Sequence, residues 1–259
     1  MKDNKSLKQK LNSKEITIGS WITLSDLSTA EIMSKAGFDW LAVDMEHSAI
    51  TIHQAQQIIQ IIELSGVVPL VRVGENNPDL IKHVMDAGAH GVIVPMVKSK
   101  QDAVKAVEAV KYPPEGTRGV GLTRAQGYGL GFEKYRDWVN EESIVIAQIE
   151  HIDAVESLDE ILGVEGVDGF MVGPYDLSAS MGMPGEFYHD SVVRAMSQIM
   201  KIAGNHNKVP GFHIIKPDGE EIHRKVEEGY KLLAFSIDIL FLGYKCRDEI
   251  RKFEKLLGK

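Results

Sequence analysis

Ile144-Val145-Ile146-Ala147-Gln148-Ile149-Glu150-His151 and, a helix further on, Gly169-Phe170-Met171-Val172-Gly173-Pro174-Tyr175-Asp176-Leu177-Ser178 are the stretches whose reading decides the fold. Each is a short apolar run, rich in β-branched residues, that stops at a polar or Gly-Pro signal. Between them, residues 154–162 have a helical apolar period, so the pair reads as one strand–helix–strand unit. Each run places one carboxylate, Glu150 or Asp176, just beyond its apolar core. In parallel neighbouring strands those carboxylates stand at the same edge of the sheet.

The same unit recurs on both sides. Strands are expected at 17–23, 40–44, 68–73, 91–96, 144–149, 169–172, 210–215 and 231–237. Helical periods follow at 29–36, 52–64, 79–86, 101–110, 154–162, 192–203, 220–228 and 247–257, several opening on a capping residue such as Ser28, Thr51 or Ser99. Ala36-Gly37-Phe38-Asp39, Ala87-Gly88-Ala89-His90 and Gly166-Val167-Asp168-Gly169 end a helix and start the next strand. Eight such units predict a (β/α)8 TIM barrel, and 259 residues suit one such domain over 1–259. An open doubly wound sheet is the alternative, but no Gly-x-Gly-x-x-Gly opens the first helix and no P-loop occurs. The irregular part is 112–143, rich in Gly, Arg and aromatic residues, which reads as a functional or interface insertion.

Composition narrows the function. Hydrophobic residues at 44% and charged residues at 25% exclude a disordered or membrane class. A net charge of −8 provides no footprint for a nucleic-acid backbone or an anionic membrane surface, so small molecules are the expected partners. One cysteine, Cys246, excludes an internal disulfide, and the polar start MKDNKSLKQKLNSKE has no signal-peptide stretch, which points to the cytoplasm.

In a barrel the active site forms where strands end. Trp21, Asp44, Glu46, His47, Arg72, Gln148, Glu150 and Asp176 all fall there. Glu150 and Asp176 together suit a hard divalent cation with most of its coordination sphere open, while singly each reads equally well as a helix cap. Asp44 and His47 read as a carboxylate orienting a general-base imidazole, or as a surface ion pair. Arg72 interrupts an apolar run and needs an anion, either a substrate oxygen or a neighbouring carboxylate. Glu46 reads as an outer group to a metal-bound water or as a solvated loop residue. Trp21 reads as a substrate wall or as core filling, and Gly173-Pro174 as a ligand-binding backbone or a tight turn. The other histidines, His213 among them, form no cluster with ligand spacing.

Trp21, Val43-Asp44-Met45-Glu46-His47, Val71-Arg72, Val94-Pro95-Met96-Val97, the run from Tyr112-Pro113-Pro114 to Gly119-Val120-Gly121, Gln148-Ile149-Glu150 and Gly173-Pro174-Tyr175-Asp176-Leu177-Ser178 together resemble the HpcH/HpaI family of class II pyruvate aldolases. That family includes 4-hydroxy-2-oxoheptanedioate aldolase and the deoxy-sugar-acid aldolases. The resemblance runs from about residue 16 to the final helix. It implies a barrel of the phosphoenolpyruvate/pyruvate type, assembled as a hexamer, with a C-terminal helix exchanged or packed between subunits. It also implies Mg²⁺, Mn²⁺ or Co²⁺ held by Glu150 and Asp176. By the same carry-over His47 with Asp44 is the acid/base, Arg72 contacts the pyruvate end, and Trp21 and Gln148 line the pocket. Many members have a small residue where Tyr175 stands, so a phenol entering the pocket would shift substrate preference. Arg118 and Arg124 are the candidates for holding the aldehyde partner.

The implied reaction is reversible cleavage of a 4-hydroxy-2-oxo acid to pyruvate and an aldehyde. A Schiff-base aldolase would need an interior lysine, and Lys98 and Lys216 lie past strand ends. A phosphosugar isomerase would want a Gly-rich phosphate site after the last two strands, which end instead in His213-Ile214-Ile215-Lys216-Pro217 and Ser236-Ile237-Asp238. An acyl-CoA hydroxy-acid lyase and a non-catalytic oxo-acid-binding barrel are the remaining alternatives.

Overall fold

The computed structural model describes residues 5–258; the first part of the polar N-terminal stretch and the last residue of the 1–259 span lie outside the described residues. Eight strands, β1 (Thr17–Ile22), β2 (Trp40–Asp44), β3 (Val68–Arg72), β4 (Gly91–Val94), β5 (Ile144–Ile149), β6 (Gly169–Val172), β7 (Val209–Ile214) and β8 (Leu232–Ile237), pair in parallel and in chain order. β8 returns to β1 and closes the barrel, as the repeated strand–helix pattern predicts.

Helices cover the outside: α1 (Leu7–Asn12), α2 (Leu27–Ser34), α3 (Ile52–Leu64), α4 (Pro78–Asp86), α5 (Lys100–Val110), α6 (Phe132–Glu142), α7 (Ile152–Glu156), α8 (Leu158–Leu162), α9 (Pro174–Ser180), α10 (Asp190–Ala203), α11 (Gly219–Glu227) and α12 (Asp238–Leu256). Thr51 and Ser99 cap α3 and α5 as expected. Ser28 does not cap α2: Asp26 does, accepting the Thr29 N–H, so the helix starts earlier than its apolar period. The period over 154–162 is two short helices meeting at Ser157. α1, α6 and α9 were not expected, being too short or too polar for a periodic signal. The last helix begins at Asp238, directly on the end of β8, not at residue 247.

Period-2 alternation divides the strands between two cores. Outward residues such as Val43, Val71, Val92, Val145, Phe170 and Leu233 meet the helices. Inward residues Trp40, Ala42, Leu70, Ile93, Ile146, Met171, Val209, Leu232 and Ala234 fill the barrel. Trp40 spans the interior because Gly19 faces it; a Cβ there would stand 2.0 Å from the indole. Leu7 and Leu11 of α1 join the same interior core, sealing the end where strands begin. Each buried leucine is worth about 1.5–3 kcal/mol. Lys8 anchors the plug to Asp168 (2.5 Å) and to the Ser143 carbonyl (2.9 Å), just before β6 and β5. α1 thus fills the end of the interior where strands begin.

Candidate active site

The inward positions at the strand ends change character. Trp21 on β1, Asp44 on β2, Arg72 on β3, Gln148 on β5, His213 on β7 and Ser236 on β8 make a polar layer above the apolar ones. Asp44 and Arg72 are register partners on adjacent strands. Arg72 presents its fork to Asp44, Nε to Oδ1 at 2.9 Å and Nη2 to Oδ2 at 2.6 Å, and its guanidinium carbon lies 4.3 Å from the centroid of the Trp21 ring. Burial by itself would raise the Asp44 pKa, but the Arg72 hydrogen bonds and charge outweigh it and hold the carboxyl below its ordinary range.

This geometry corrects one expectation. Asp44 does not orient the His47 ring; its Oδ1 accepts the backbone N–H groups of Glu46 (3.0 Å) and His47 (3.2 Å) and so shapes the loop after β2. Arg72, in register beside it, occupies both carboxylate oxygens. The His47 imidazole stands in the open, its side chain 67% exposed, with Glu46 Oε2 at 3.8 Å. The same Glu46 oxygen lies 3.4 Å from Arg72 Nε. Burial pushes the Glu46 carboxyl up to about 7, with Arg72 pulling it down and Glu150 pushing it further up.

Glu150 lies one residue past β5 and is buried. Its Oε1 accepts the Met96 N–H at 2.7 Å, and its Oε2 accepts the Gln148 side-chain amide. Met96, just after β4, aims that N–H from a left-handed backbone (φ 52°), a conformation that costs a non-glycine residue about 1–2 kcal/mol. Gly173 leaves the adjoining space open: a Cβ there would stand 2.9 Å from Glu150 Oε2 and 3.9 Å from Asp176 Oδ2. Two carboxylate oxygens thus flank one gap. Asp176, in the first turn of α9, makes no hydrogen bond or ion pair among the described residues and is exposed toward solvent. Two hard oxygen donors around an open gap, with no third His, Cys, Asp or Glu near enough to complete a closed set among the described residues, fit a Mg²⁺-like ion that keeps water or substrate oxygens.

Four buried polar atoms in this region have no hydrogen-bond partner among the described residues: Trp21 Nε1, Glu46 Oε2, Gln148 Oε1 and His213 Nε2. Each would cost about 1–3 kcal/mol if left unmatched, so their clustering marks a place built for a polar ligand. His213 was not singled out from the sequence. The available signal was its inward parity with Val209 and Gly211 at the end of β7. Burial pushes its pKa down to about 4, helped by Arg72, so the imidazole is neutral.

The remaining expectations divide. The Gly173 N–H is already given to the Ile149 carbonyl at 3.2 Å, and Pro174 has no N–H, so neither amide is available to a substrate carboxylate. Tyr175 turns outward and packs its ring edge-on to Phe187. Arg118 and Arg124 do not reach the strand ends. Arg118 is buried against Asp86 (2.5 Å) and the Tyr135 hydroxyl (3.2 Å), and Arg124 pairs with Glu63 and the Ala87 carbonyl. Asp86 and Ala87 precede β4, so both arginines serve the end of the barrel where strands begin. They brace the 112–143 excursion, whose need for internal charge neutralisation has no local sequence signature. A cavity of about 390 Å³ lies at that same end, walled by Glu63, His90, Gln126, Tyr135 and Trp138, and contains none of the strand-end residues.

Comparison with known proteins bears on the family and the fold. The family model for HpcH/HpaI aldolase/citrate lyase matches residues 17–242. The chain is 34% identical over 239 residues to the hydroxypyruvate/pyruvate aldolase of Roseobacter denitrificans, covering 92% of each. It is 37% identical over 212 residues to 2-keto-3-deoxy-L-rhamnonate aldolase of Escherichia coli, covering 82% of this chain and 79% of that one. A crystal structure of an HpcH/HpaI aldolase/citrate lyase family protein from Burkholderia cenocepacia superposes with a TM-score of 0.91 at 32% identity, over 96% of this chain and 99% of that one.

Proposed function

The chain belongs to the HpcH/HpaI aldolase/citrate lyase family, and from that premise we propose that it is a class II pyruvate aldolase, cleaving a 4-hydroxy-2-oxo acid reversibly into pyruvate and an aldehyde. The observation that carries the reading is the gap at Gly173 flanked by Glu150 and Asp176, opening beside the buried Arg72–Asp44 fork.

Glu150 and Asp176 would hold the divalent ion, Mg²⁺, Mn²⁺ or Co²⁺, with Gln148 and the Met96 N–H fixing Glu150 in place. The bound ion supplies Lewis-acid polarisation of the substrate's keto oxygen. Arg72 supplies a fixed positive charge: Asp44 engages Nε and Nη2, leaving Nη1 for the oxygen on which negative charge develops. Trp21 covers one face of that guanidinium and keeps it from swinging away. His47, from the exposed loop after β2, takes the proton of the C4 hydroxyl as the C3–C4 bond breaks. The electron pair of that bond passes to the oxo-acid fragment as its enolate, the aldehyde leaves, and protonation at C3 completes pyruvate. In synthesis the imidazole returns its proton to the new hydroxyl. Glu46, between His47 and Arg72, sets the local charge. None of the eight strands carries a lysine, so no strand-borne amine is present for a Schiff base.

The chain is read as one domain over 1–259 that assembles as a hexamer in the cytoplasm. Exposed Leu242, Ile250, Phe253 and Leu256 on α12 support packing of that helix against another copy. Among the described residues no helix is long and apolar enough to cross a membrane.

The test is pyruvate release from a panel of 4-hydroxy-2-oxo acids, using chelator-stripped protein before and after Mg²⁺, Mn²⁺ or Co²⁺ is restored. Metal-restored release is the expected result. Release that persists without metal, or that borohydride and pyruvate abolish, would overturn the class II assignment.

A further inference from the structure

The cavity of about 390 Å³ at the end where strands begin has no part in the chemistry at the strand ends, and its walls come from two parts of the molecule. Glu63 near the end of α3 and His90 just before β4 belong to the barrel body. Gln126 in the one-turn helix Arg124–Gln126, with Lys134, Tyr135 and Trp138 on α6, belongs to the 112–143 excursion. Lys134 and Tyr135 precede Trp138 by one helical turn, so a single face of α6 presents all three to the opening.

Part of the wall is flat and aromatic. The Tyr135 and Trp138 rings stack at 5.6 Å with an interplanar angle of 16°, and the His90 ring meets Trp138 edge to face at 4.8 Å. Trp138 and His90 are only half-buried, so their rings reach the opening. The charges around them are mostly spent on one another. Glu63 accepts from His90 Nε2 at 3.4 Å and from Arg124 Nη2, and these partners hold its carboxyl below the ordinary range against the effect of burial. Arg124 gives Nη1 to the Ala87 carbonyl at 3.1 Å. Lys134, by contrast, is exposed and makes no ion pair or hydrogen bond among the described residues, which leaves its ammonium free to meet an anion. Gln126 lies in the buried part of the wall, 1% exposed; its Nε2 donates to the Tyr112 hydroxyl at 3.0 Å, and its Oε1, which can only accept, has no partner among the described residues.

Each of these features selects a part of a ligand. A flat aromatic body suits the three rings and a carboxylate suits Lys134. A ring N–H suits Gln126 Oε1 better than a hydroxyl does, because a hydroxyl brings lone pairs to an amide whose own donor is already given to Tyr112. The volume stands near the lower end of ligand pockets, about 300–1,000 Å³, which admits a fused bicycle with a short acidic tail. We propose that this cavity is a second ligand site, at the opposite end of the barrel from the strand-end site, for a small planar aromatic carboxylate with a ring N–H, of the indole-acid type. Such a ligand touches the barrel body and the excursion at once, so its binding fastens 112–143 to α3 and to the turn before β4.

The test titrates the full chain with three matched probes by calorimetry and by NMR, with Mg²⁺ present. Indole-3-acetate has every feature; 1-naphthaleneacetate keeps the carboxylate and the bicycle but has no N–H; tryptamine keeps the indole and reverses the charge. Indole-3-acetate should bind saturably, raise the melting temperature with increasing concentration, and bind about fivefold more tightly than 1-naphthaleneacetate, with tryptamine weaker than the indole acid. Of the three tryptophans, the Trp138 side-chain resonance should move while those of Trp21 and Trp40 stay. Lys134→Gln, an exposed change that leaves the fold intact, should weaken indole-3-acetate by about two- to fivefold and leave tryptamine no weaker. Gln126→Leu should abolish the preference for indole over naphthalene. Saturating pyruvate should leave the indole-3-acetate affinity unchanged, since pyruvate belongs to the other end of the barrel. Absence of saturable binding up to about 1 mM would overturn the site. Displacement by pyruvate, or a Trp21 resonance that moves in place of that of Trp138, would overturn its location. Equal affinity for 1-naphthaleneacetate would overturn the N–H assignment, and equal affinity for tryptamine would overturn the carboxylate. The aldolase reading stands or falls separately, on metal-restored pyruvate release.

Discussion

Replacing Asp44 by Ala removes the partner of a guanidinium that cannot lose its charge. Arg72 has a side chain only 11% exposed and gives Asp44 two of its donors, at 2.9 and 2.6 Å. Breaking a buried pair from one side costs about 3–5 kcal/mol, because the remaining charge stays buried and unmatched. With an unfolding entropy of roughly 2.1 cal/mol/K per residue, 259 residues make about 0.5 kcal/mol/K, so the melting temperature should fall by about 6–9 °C. Scanning calorimetry reads that shift, and pyruvate release should fall with it, as Arg72 loses its fixed orientation. Replacing both partners, Asp44→Leu with Arg72→Met, should recover part of the stability, the Glu46 and His47 N–H groups still lacking their acceptor, and none of the activity. The pH dependence has a defined sign. Folding lowers the Asp44 pKa below its ordinary 3.8, so the stabilisation is complete above that value and is lost as the pH falls below it toward the folded pKa. Asp44→Ala should therefore flatten the acid limb of the melting curve. A drop under 2 °C, or a double variant no more stable than Asp44→Ala, would refute the reasoning.

Gly173→Ala puts a methyl 2.9 Å from Glu150 Oε2, and Mn²⁺ titration by calorimetry should show affinity weakened by about 10–100-fold while circular dichroism stays native. His47→Ala should lower turnover severely and leave Mn²⁺ affinity close to wild type, since its exposed imidazole belongs to the proton step; undiminished turnover would remove it from the mechanism. Glu46 has a folded pKa raised to about 7 from 4.5, so in chelator-treated protein its burial becomes destabilising as the pH rises through that window; Glu46→Gln should flatten the fall in melting temperature between those values. Arg118→Met, which strands Asp86 and removes the cation stacked on Tyr112, should appear as a loss of several degrees in melting temperature with KM for the oxo acid little changed.

The barrel was legible in the chain because its determinants are local. Apolar β-branched runs of strand length, αβ turns with glycine, and eight repeats leave few topologies, and the termini of those runs name Trp21, Asp44, Arg72, Gln148 and Glu150 as one layer. Strand limits such as 144–149 and 169–172 agree with the structure for the same reason. The missed pieces are of another kind. α1 has one capping box and two buried leucines, too little for a period, and only the open end of the barrel makes it a plug.

The sequence by itself determined the order of strands and helices and the end of the barrel at which polar residues collect, since both follow from periodicity of two and of 3.6 along the chain. Tertiary structure alone decided the partners. Asp44 has His47 three residues away and Arg72 on the next strand, and register awards its oxygens to the arginine. Arg118 and Arg124 stand in a stretch that looks suited to binding acids, yet Asp86 and Glu63 reach them at the other end of the molecule. His213 and Trp21, far apart in sequence, share a pair of unmatched nitrogens only because closure of β8 onto β1 brings the first strand beside the seventh. Which charge meets which is a property of distances between strands, and those are set by the closed barrel as a whole.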